Sequence, residues 1–117
     1  MENLKDKVVL ITGSSRGIGA AIALKVSQAG AKVIINYAGG KEPAEKLAQE
    51  INFNGGQALA IKADVSNSTE VKNLFDESIA HFGKIDVLIN NAGIMITKLI
   101  KDTTDEDFDR HFNINVK

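Results

Sequence analysis

The residues Thr12-Gly13-Ser14-Ser15-Arg16-Gly17-Ile18-Gly19 have the types and spacing to hold a phosphate. They sit directly behind the apolar run Val8-Val9-Leu10-Ile11. Glycines let a backbone turn sharply and approach a ligand closely, because no Cβ intervenes. A helix opening at that turn offers unpaired N–H groups and the positive end of its dipole to an anion. The spacing is G-x-x-x-G-x-G, which differs from the G-x-G-x-x-G dinucleotide fingerprint and from a Walker loop with its Gly-Lys-Ser/Thr. Alone, it also fits a strand-to-helix turn that binds nothing.

Other polar residues fall at related places. The second strand ends in Asn36-Tyr37-Ala38, where a NAD-binding unit usually places an acid for the ribose 2′-hydroxyl. The missing carboxylate removes a repulsion against a 2′-phosphate, and the Arg16 guanidinium could pair with that phosphate bidentately. Both facts lean toward NADP(H) rather than NAD, unless Arg16 is simply a solvated surface charge. Asp64, before Val65, could accept from an adenine amino group with Val65 packing on the ring, or it could cap the turn ahead of the next helix. Asn90-Asn91-Ala92-Gly93 offers amides that either tie strands together or meet a ribose. Asn113 and Asn115 read as polar residues in a helical context. His81 and His111 have no partner ligand one turn on and read as surface or boundary residues. Lys84 with Asp86, and the cluster from Asp102 to Asp109, read as solvated charges and helix-start acids. No Ser/His/Asp or paired-carboxylate constellation emerges, and no metal site.

Elements must then carry these residues to one place. Apolar runs alternate with helical patterns, the signature of a parallel sheet with crossover helices. Strands are expected at about Lys7 to Thr12, Ala31 to Asn36, Gln57 to Ala63 and Asp86 to Asn90. The first helix is expected from Gly17 to Ala29, with Ile18, Ile22 and Val26 on its buried face and Gly30 ending it. The second has Pro43 in its first turn, Ala44, Leu47, Ala48 and Ile51 on its inner face, and a stop at Asn54-Gly55-Gly56. The third starts with a capping box, Asn67 with Glu70, buries Val71, Leu74, Phe75, Ile79 and Phe82, and ends at Gly83. A fourth starts at Thr103 with Glu106, carries Phe108 and Phe112, and runs to about the end of the chain. Right-handed crossovers give strand order 3-2-1-4, the first half of a doubly wound α/β sheet. The glycine turn, Asp64 and Asn90-Asn91 then converge on the carboxyl edge of that sheet.

Composition bounds the rest. A chain of 117 residues has room for one domain. With net charge −1 there is no electrostatic reason to expect nucleic acid or an anionic membrane as partner. Cysteine is absent, which excludes disulfides and thiolate metal sites and fits a reducing compartment. The charged N-terminus lacks the apolar core of a signal peptide, and no apolar run reaches the roughly 20 residues of a membrane span. The expectation is a soluble cytoplasmic domain.

Taken together, the glycine turn, Asp64, Asn90-Asn91-Ala92-Gly93 and Asn113-Ile114-Asn115-Val116 resemble the classical short-chain dehydrogenase/reductases along the whole chain. Among them, 3-oxoacyl-[acyl-carrier-protein] reductase-like and glucose-dehydrogenase-like members look most similar. The resemblance implies that residues 1–117 form the NAD(P)-binding Rossmann-type half of an NADP(H)-dependent oxidoreductase. Such an enzyme interconverts a small-molecule carbonyl and an alcohol by hydride transfer, and its full-length form is expected to be a homo-oligomer. By resemblance, Gly13, Ser14, Ser15, Gly17, Ile18 and Gly19 contact pyrophosphate and ribose, and Arg16 marks NADP preference. Tyr37 stands where NAD-preferring members carry Asp, Asp64 is the adenine-ring aspartate, and Asn91, Ala92 and Gly93 lie along the ribose while Asn90 braces the sheet. Asn115 joins the catalytic tetrad by holding a water in the proton relay. The family's catalytic Ser and Tyr-x-x-x-Lys are not among these residues, so the 117 residues alone are expected to be inactive. Tyr37-x-x-x-Lys41 matches that pattern only superficially, because it falls at the adenosine end of the crevice.

Two other readings compete. A non-catalytic dinucleotide-binding module is disfavoured because Val87-Leu88-Ile89 would then be a bare apolar edge. A methyltransferase binding S-adenosylmethionine would need an acid at the end of the second strand, and Asn36-Tyr37 provides none.

Overall fold

The structure is a computed structural model that describes residues 3–92 and the backbone of residues 113–115. Five parallel strands alternate with three helices among the described residues: β1 (Val8–Ile11), α1 (Gly17–Gln28), β2 (Lys32–Tyr37), α2 (Lys41–Phe53), β3 (Gln57–Lys62), α3 (Ser68–Phe82), β4 (Val87–Ile89) and β5 (Asn113–Asn115). The sheet order is β3-β2-β1-β4-β5. The expected order 3-2-1-4 is therefore present, and each of β1 to β4 begins and ends within about a residue of its expected place.

Continuous apolar runs form the central strands because both faces of the sheet are covered. Alternation along β1 divides its side chains between two cores. Val8 and Leu10 join Ile34, Ile61, Leu88, Val71 and Leu74 beneath α3. Val9 and Ile11 join Val33 and Ile35 against Ala23 and Val26 of α1 and Ala44, Leu47, Ala48 and Ile51 of α2. All four residues of β1 are essentially inaccessible to water. Each such burial contributes roughly 1.5–3 kcal/mol, so the strand that precedes the glycine turn is firmly held.

Four expectations change on inspection. In α1 the buried residues are Gly19, Ala23 and Val26, whereas Ile18 is 74% exposed. Small side chains at 19 and 23 let the helix lie close to the sheet, which turns Ile18 outward. In α3, Asn67 caps by accepting from Thr69 N–H and Glu70 N–H, at 3.0 and 3.1 Å. The reciprocal half of the capping box is absent because Asn67 N–H already donates to Asp64 O, and Glu70 accepts from Asp64 N–H instead. Asp86 is no solvated charge: its carboxylate accepts from Val8 N–H at 2.8 Å and pairs with Lys84 at 3.1 Å, fastening the start of β4 to β1.

The fourth change concerns Asn113 to Asn115. They form a strand, paired with β4 as Val87↔Asn113, Leu88↔Ile114 and Ile89↔Asn115. The Phe108 and Phe112 spacing suggested that a helix continues to this point, while Asn-Ile-Asn has the two-residue alternation of a strand. β4 is consequently not an edge. The expected helix from Thr103 lies outside the described residues.

Candidate functional site

The strand ends are held together by polar side chains that the sheet buries. Thr12, following β1, is inaccessible to water. Its Oγ1 accepts from Asn91 N–H and Ala92 N–H, both at 3.0 Å, and donates to Asn90 Oδ1 at 3.3 Å. Asn91 returns the link by donating Nδ2–H to Gly13 O at 3.0 Å. The glycine turn and the Asn90-Asn91-Ala92 segment thus share one hydrogen-bonded frame. Asn90, 4% exposed, faces inward within it. Gly93 lies outside the described residues.

The glycines of the turn divide by what surrounds them. A Cβ at Gly19 would lie 2.7 Å from Asn91 Nδ2, 2.7 Å from Gly13 O and 2.8 Å from Ser14 Cα. That glycine exists so that α1 can meet the turn. Gly17 has φ +65° and nothing within 4 Å of a built Cβ. It opens α1 at an exposed position, and no side chain caps the helix start. The first N–H groups of α1 therefore face open space with the dipole's positive end, which is the chemistry an anionic group requires. A dinucleotide pyrophosphate fits this cradle: Gly17 leaves room for it, and exposed Ile18 and half-buried Ser15 flank it. Ser14 does not present its hydroxyl to that space, because Oγ donates to Ile11 O at 2.7 Å and the residue is wholly buried. Its backbone N–H is likewise engaged, donating to Asn36 O at 2.9 Å.

Arg16 is exposed, and its guanidinium lies over the loop between β2 and α2. A Cβ at Gly40 would sit 2.6 Å from Arg16 Nη2 and 3.4 Å from Ser15 Oγ. Gly40 is the left-handed N-cap of α2, which also lacks a side-chain cap. The end of β2 contributes Asn36, Tyr37, Ala38 and Gly39, none of them acidic. Tyr37 packs its ring into the core beneath α1 and α2 and is 7% exposed. Lys41, four residues on, pairs at the surface with Glu45. The two side chains thus lie in different surroundings, Tyr37 in the core and Lys41 in solvent.

Asp64 follows β3 on the same sheet edge. It is exposed, and its Oδ1 accepts from Ser66 N–H at 2.9 Å and Ser66 Oγ–H at 2.7 Å. The hydroxyl and then the amide of Ser66 favour the charged form and hold the carboxyl below its ordinary range. Of the two sequence readings, the turn-capping one describes these contacts, and the carboxylate still faces solvent where an adenine could reach it. Val65 is half-buried on the α3 side of the core. A depressed carboxylate adds stability that is complete above its unfolded pKa and is lost as pH falls through the folded value. Ser66→Ala is expected to move the Asp64 titration upward, as followed by carboxyl carbon NMR, with an unmoved midpoint contradicting the hydroxyl's role.

Asn115 stands on β5 opposite Ile89, with β4 between it and the strand that leads into the glycine turn. Its backbone thus reaches the sheet edge shared by the other features. His81 is exposed and meets Phe82 edge to face, and no group of three acidic or histidine ligands occurs among the described residues. No described helix is long and apolar enough to cross a membrane. Sequence reading treated Asn36 only as the absence of an acid. Its signal was a polar residue closing an apolar strand, and it is 2% exposed with every carboxamide group bonded.

Comparison with known proteins agrees with this geometry. The family described as short chain dehydrogenase matches residues 7–117. A short chain dehydrogenase/reductase of Aspergillus novofumigatus and the versicolorin reductase of Emericella nidulans are each 47% identical over 114 residues, 97% of this chain and 43% of theirs. A probable tetrahydroxynaphthalene reductase of Zymoseptoria tritici is 45% identical over the same span. The chain thus spans less than half the length of these relatives. Among solved structures, a Serratia marcescens short-chain dehydrogenase/reductase superimposes with TM-score 0.75 at 36% identity, covering 94% of this chain and 45% of that one. A 7α-hydroxysteroid dehydrogenase complexed with NADH and a 7-oxo bile acid gives TM-score 0.72 at 36% identity, over 75% of this chain and 34% of that one. With the glycine turn, the strand order and the Thr12 frame all in place, this chain belongs to the short chain dehydrogenase family.

Proposed function

We propose that these residues form the NADP(H)-binding part of a reductase that converts a small-molecule carbonyl to an alcohol. The observation that carries the NADP assignment is the Arg16 guanidinium lying against Gly40, beside a β2 end that has no acid. A 2′-phosphate there would meet a planar, permanently charged donor and no repelling carboxylate. The N–H groups opening α1 at Gly17, Ile18 and Gly19, with Ser15, would hold the pyrophosphate, and Gly13 would let the backbone turn close beside it. Asp64 and Val65 would border the adenine, near Tyr37 at the end of β2. Asn91, Ala92 and Gly93 would line the nicotinamide-side ribose. Hydride transfer is the chemistry the dinucleotide supplies when bound. Asn115 would hold a water for proton delivery, and the 117 residues alone would bind without turnover, since buried Tyr37 cannot act as the acid. The reductase names of two relatives support the reducing direction. Action in the cytoplasm, as a homo-oligomer, completes the reading.

Titration of the protein with NADPH, NADH and S-adenosylmethionine, followed by calorimetry, tests this assignment. NADPH should bind about tenfold or more tightly than NADH, and S-adenosylmethionine should give no heat. Preference for NADH would overturn the role of Arg16, and no binding of either dinucleotide would overturn the nucleotide reading. One observation favours a second reading: β5 covers β4, which removes the bare-edge objection to a non-catalytic dinucleotide module.

A further inference from the structure

We propose that Asn36 is the positioning residue that sets the distance between the glycine turn and the adenine end of the crevice. This rests on the dinucleotide reading above. Asn36 is the penultimate residue of β2, which lies between the two strands whose ends carry the turn and Asp64. Its Oδ1 accepts from Gly13 N–H at 3.1 Å, and its own carbonyl accepts from Ser14 N–H at 2.9 Å. Both consecutive amides at the start of the turn are therefore fixed by this one residue. On its other side Nδ2 donates to Ala63 O at 3.1 Å and to Ile61 O at 3.4 Å. Ala63 is the residue immediately before Asp64, and Tyr37 O accepts from Ala63 N–H at 2.9 Å.

The carboxamide is thus a rigid bridge of one side chain, bonded at both ends and shielded from water. Gly13 has φ +58°, a conformation with little preference of its own, and its amide is restrained by Asn36. A dinucleotide that spans both sites gains from their fixed separation, because the ordering has already occurred before binding. A ligand confined to one end gains nothing from it. Aspartate cannot replace this residue, since its carboxylate would face the carbonyls of Ile61 and Ala63 without a donor. That distinguishes the position from an ordinary polar strand end.

The experiment compares NADPH with adenosine, which reaches the Asp64 end and neither the glycine turn nor its Arg16. Affinities are measured on the folded protein and on Asn36→Ala, well below either unfolding midpoint. Asn36→Ala should weaken NADPH about tenfold or more while changing adenosine less than twofold. Equal weakening of both ligands, or none for NADPH, would overturn the bridging role. If the unaltered protein bound neither ligand, the dinucleotide reading itself would fall, and this inference with it. Should Asn36→Ala not fold, side-chain amide hydrogen exchange in the unaltered protein decides. Slow exchange at Asn36 Nδ2, before and after NADPH, is expected, and exchange as fast as that of solvent-exposed carboxamides would overturn the proposal.

Discussion

Gly19→Ala is expected to lower stability by about 1–3 kcal/mol and to weaken NADPH binding at least tenfold. The added methyl would come within 3.0 Å of Asn91 Nδ2, Gly13 O and Ser14 Cα. Two of those atoms are backbone, and the third makes the hydrogen bond that joins β4's end to the turn. Relief therefore requires α1 to back away from the sheet, which displaces the amides that face the anion. Gly17→Ala is the informative control. Its Cβ meets no protein atom, so the folded cost is confined to the left-handed backbone, roughly 1–2 kcal/mol, while the methyl enters the cradle itself. Urea denaturation and NADPH titration separate the two: Gly19→Ala should lose Asn91–Gly13 coupling, Gly17→Ala mainly affinity. Wild-type stability and affinity in Gly19→Ala would contradict the close approach.

The second large effect is on cofactor choice. Arg16→Ala should weaken NADPH binding about 10- to 100-fold, the worth of a charged hydrogen-bonded pair at roughly 1.5–3 kcal/mol, and leave NADH within about twofold. Arg16 is exposed and its side chain makes no hydrogen bond or ion pair with the described residues, so the unfolding midpoint should not move. Adding salt should narrow the difference between NADPH and NADH, because an exposed charge pair is screened. Equal loss for both cofactors would place Arg16 at the pyrophosphate instead of the 2′-phosphate.

The strand order was legible because β1, β2 and β4 are uninterrupted apolar runs bounded by Gly, Asn and Asp. The glycine turn was legible because only one arrangement of strand, turn and helix puts such glycines to use. The rest depended on tertiary contacts that periodicity does not encode. Ile18 matched a helical stripe, yet Gly19 and Ala23 were small enough to take the inner face. Asn113 to Asn115 were too few to outweigh the phenylalanine spacing before them, and pairing with β4 decided their state. Asn36 and Asp86 were polar residues that hold backbone N–H groups 23 and 78 positions away in sequence. Asp64 had two readings that differ only in which atoms surround the carboxylate, and Ser66 settled its contacts in the structure.

The central claim is that one sheet edge holds the dinucleotide. Proton–nitrogen correlation spectra of the labelled protein, recorded as NADPH is added, test it most directly. Saturable shifts are expected to concentrate at residues 13–19, 38–41, 64–65 and 91–92. The opposite, amino edge of the sheet offers a polar cleft of about 370 Å³ among Asp6, Gln28, Lys32 and Asn54 to Gln57. Shifts confined to that cleft, or no saturable shift at all, would contradict the account.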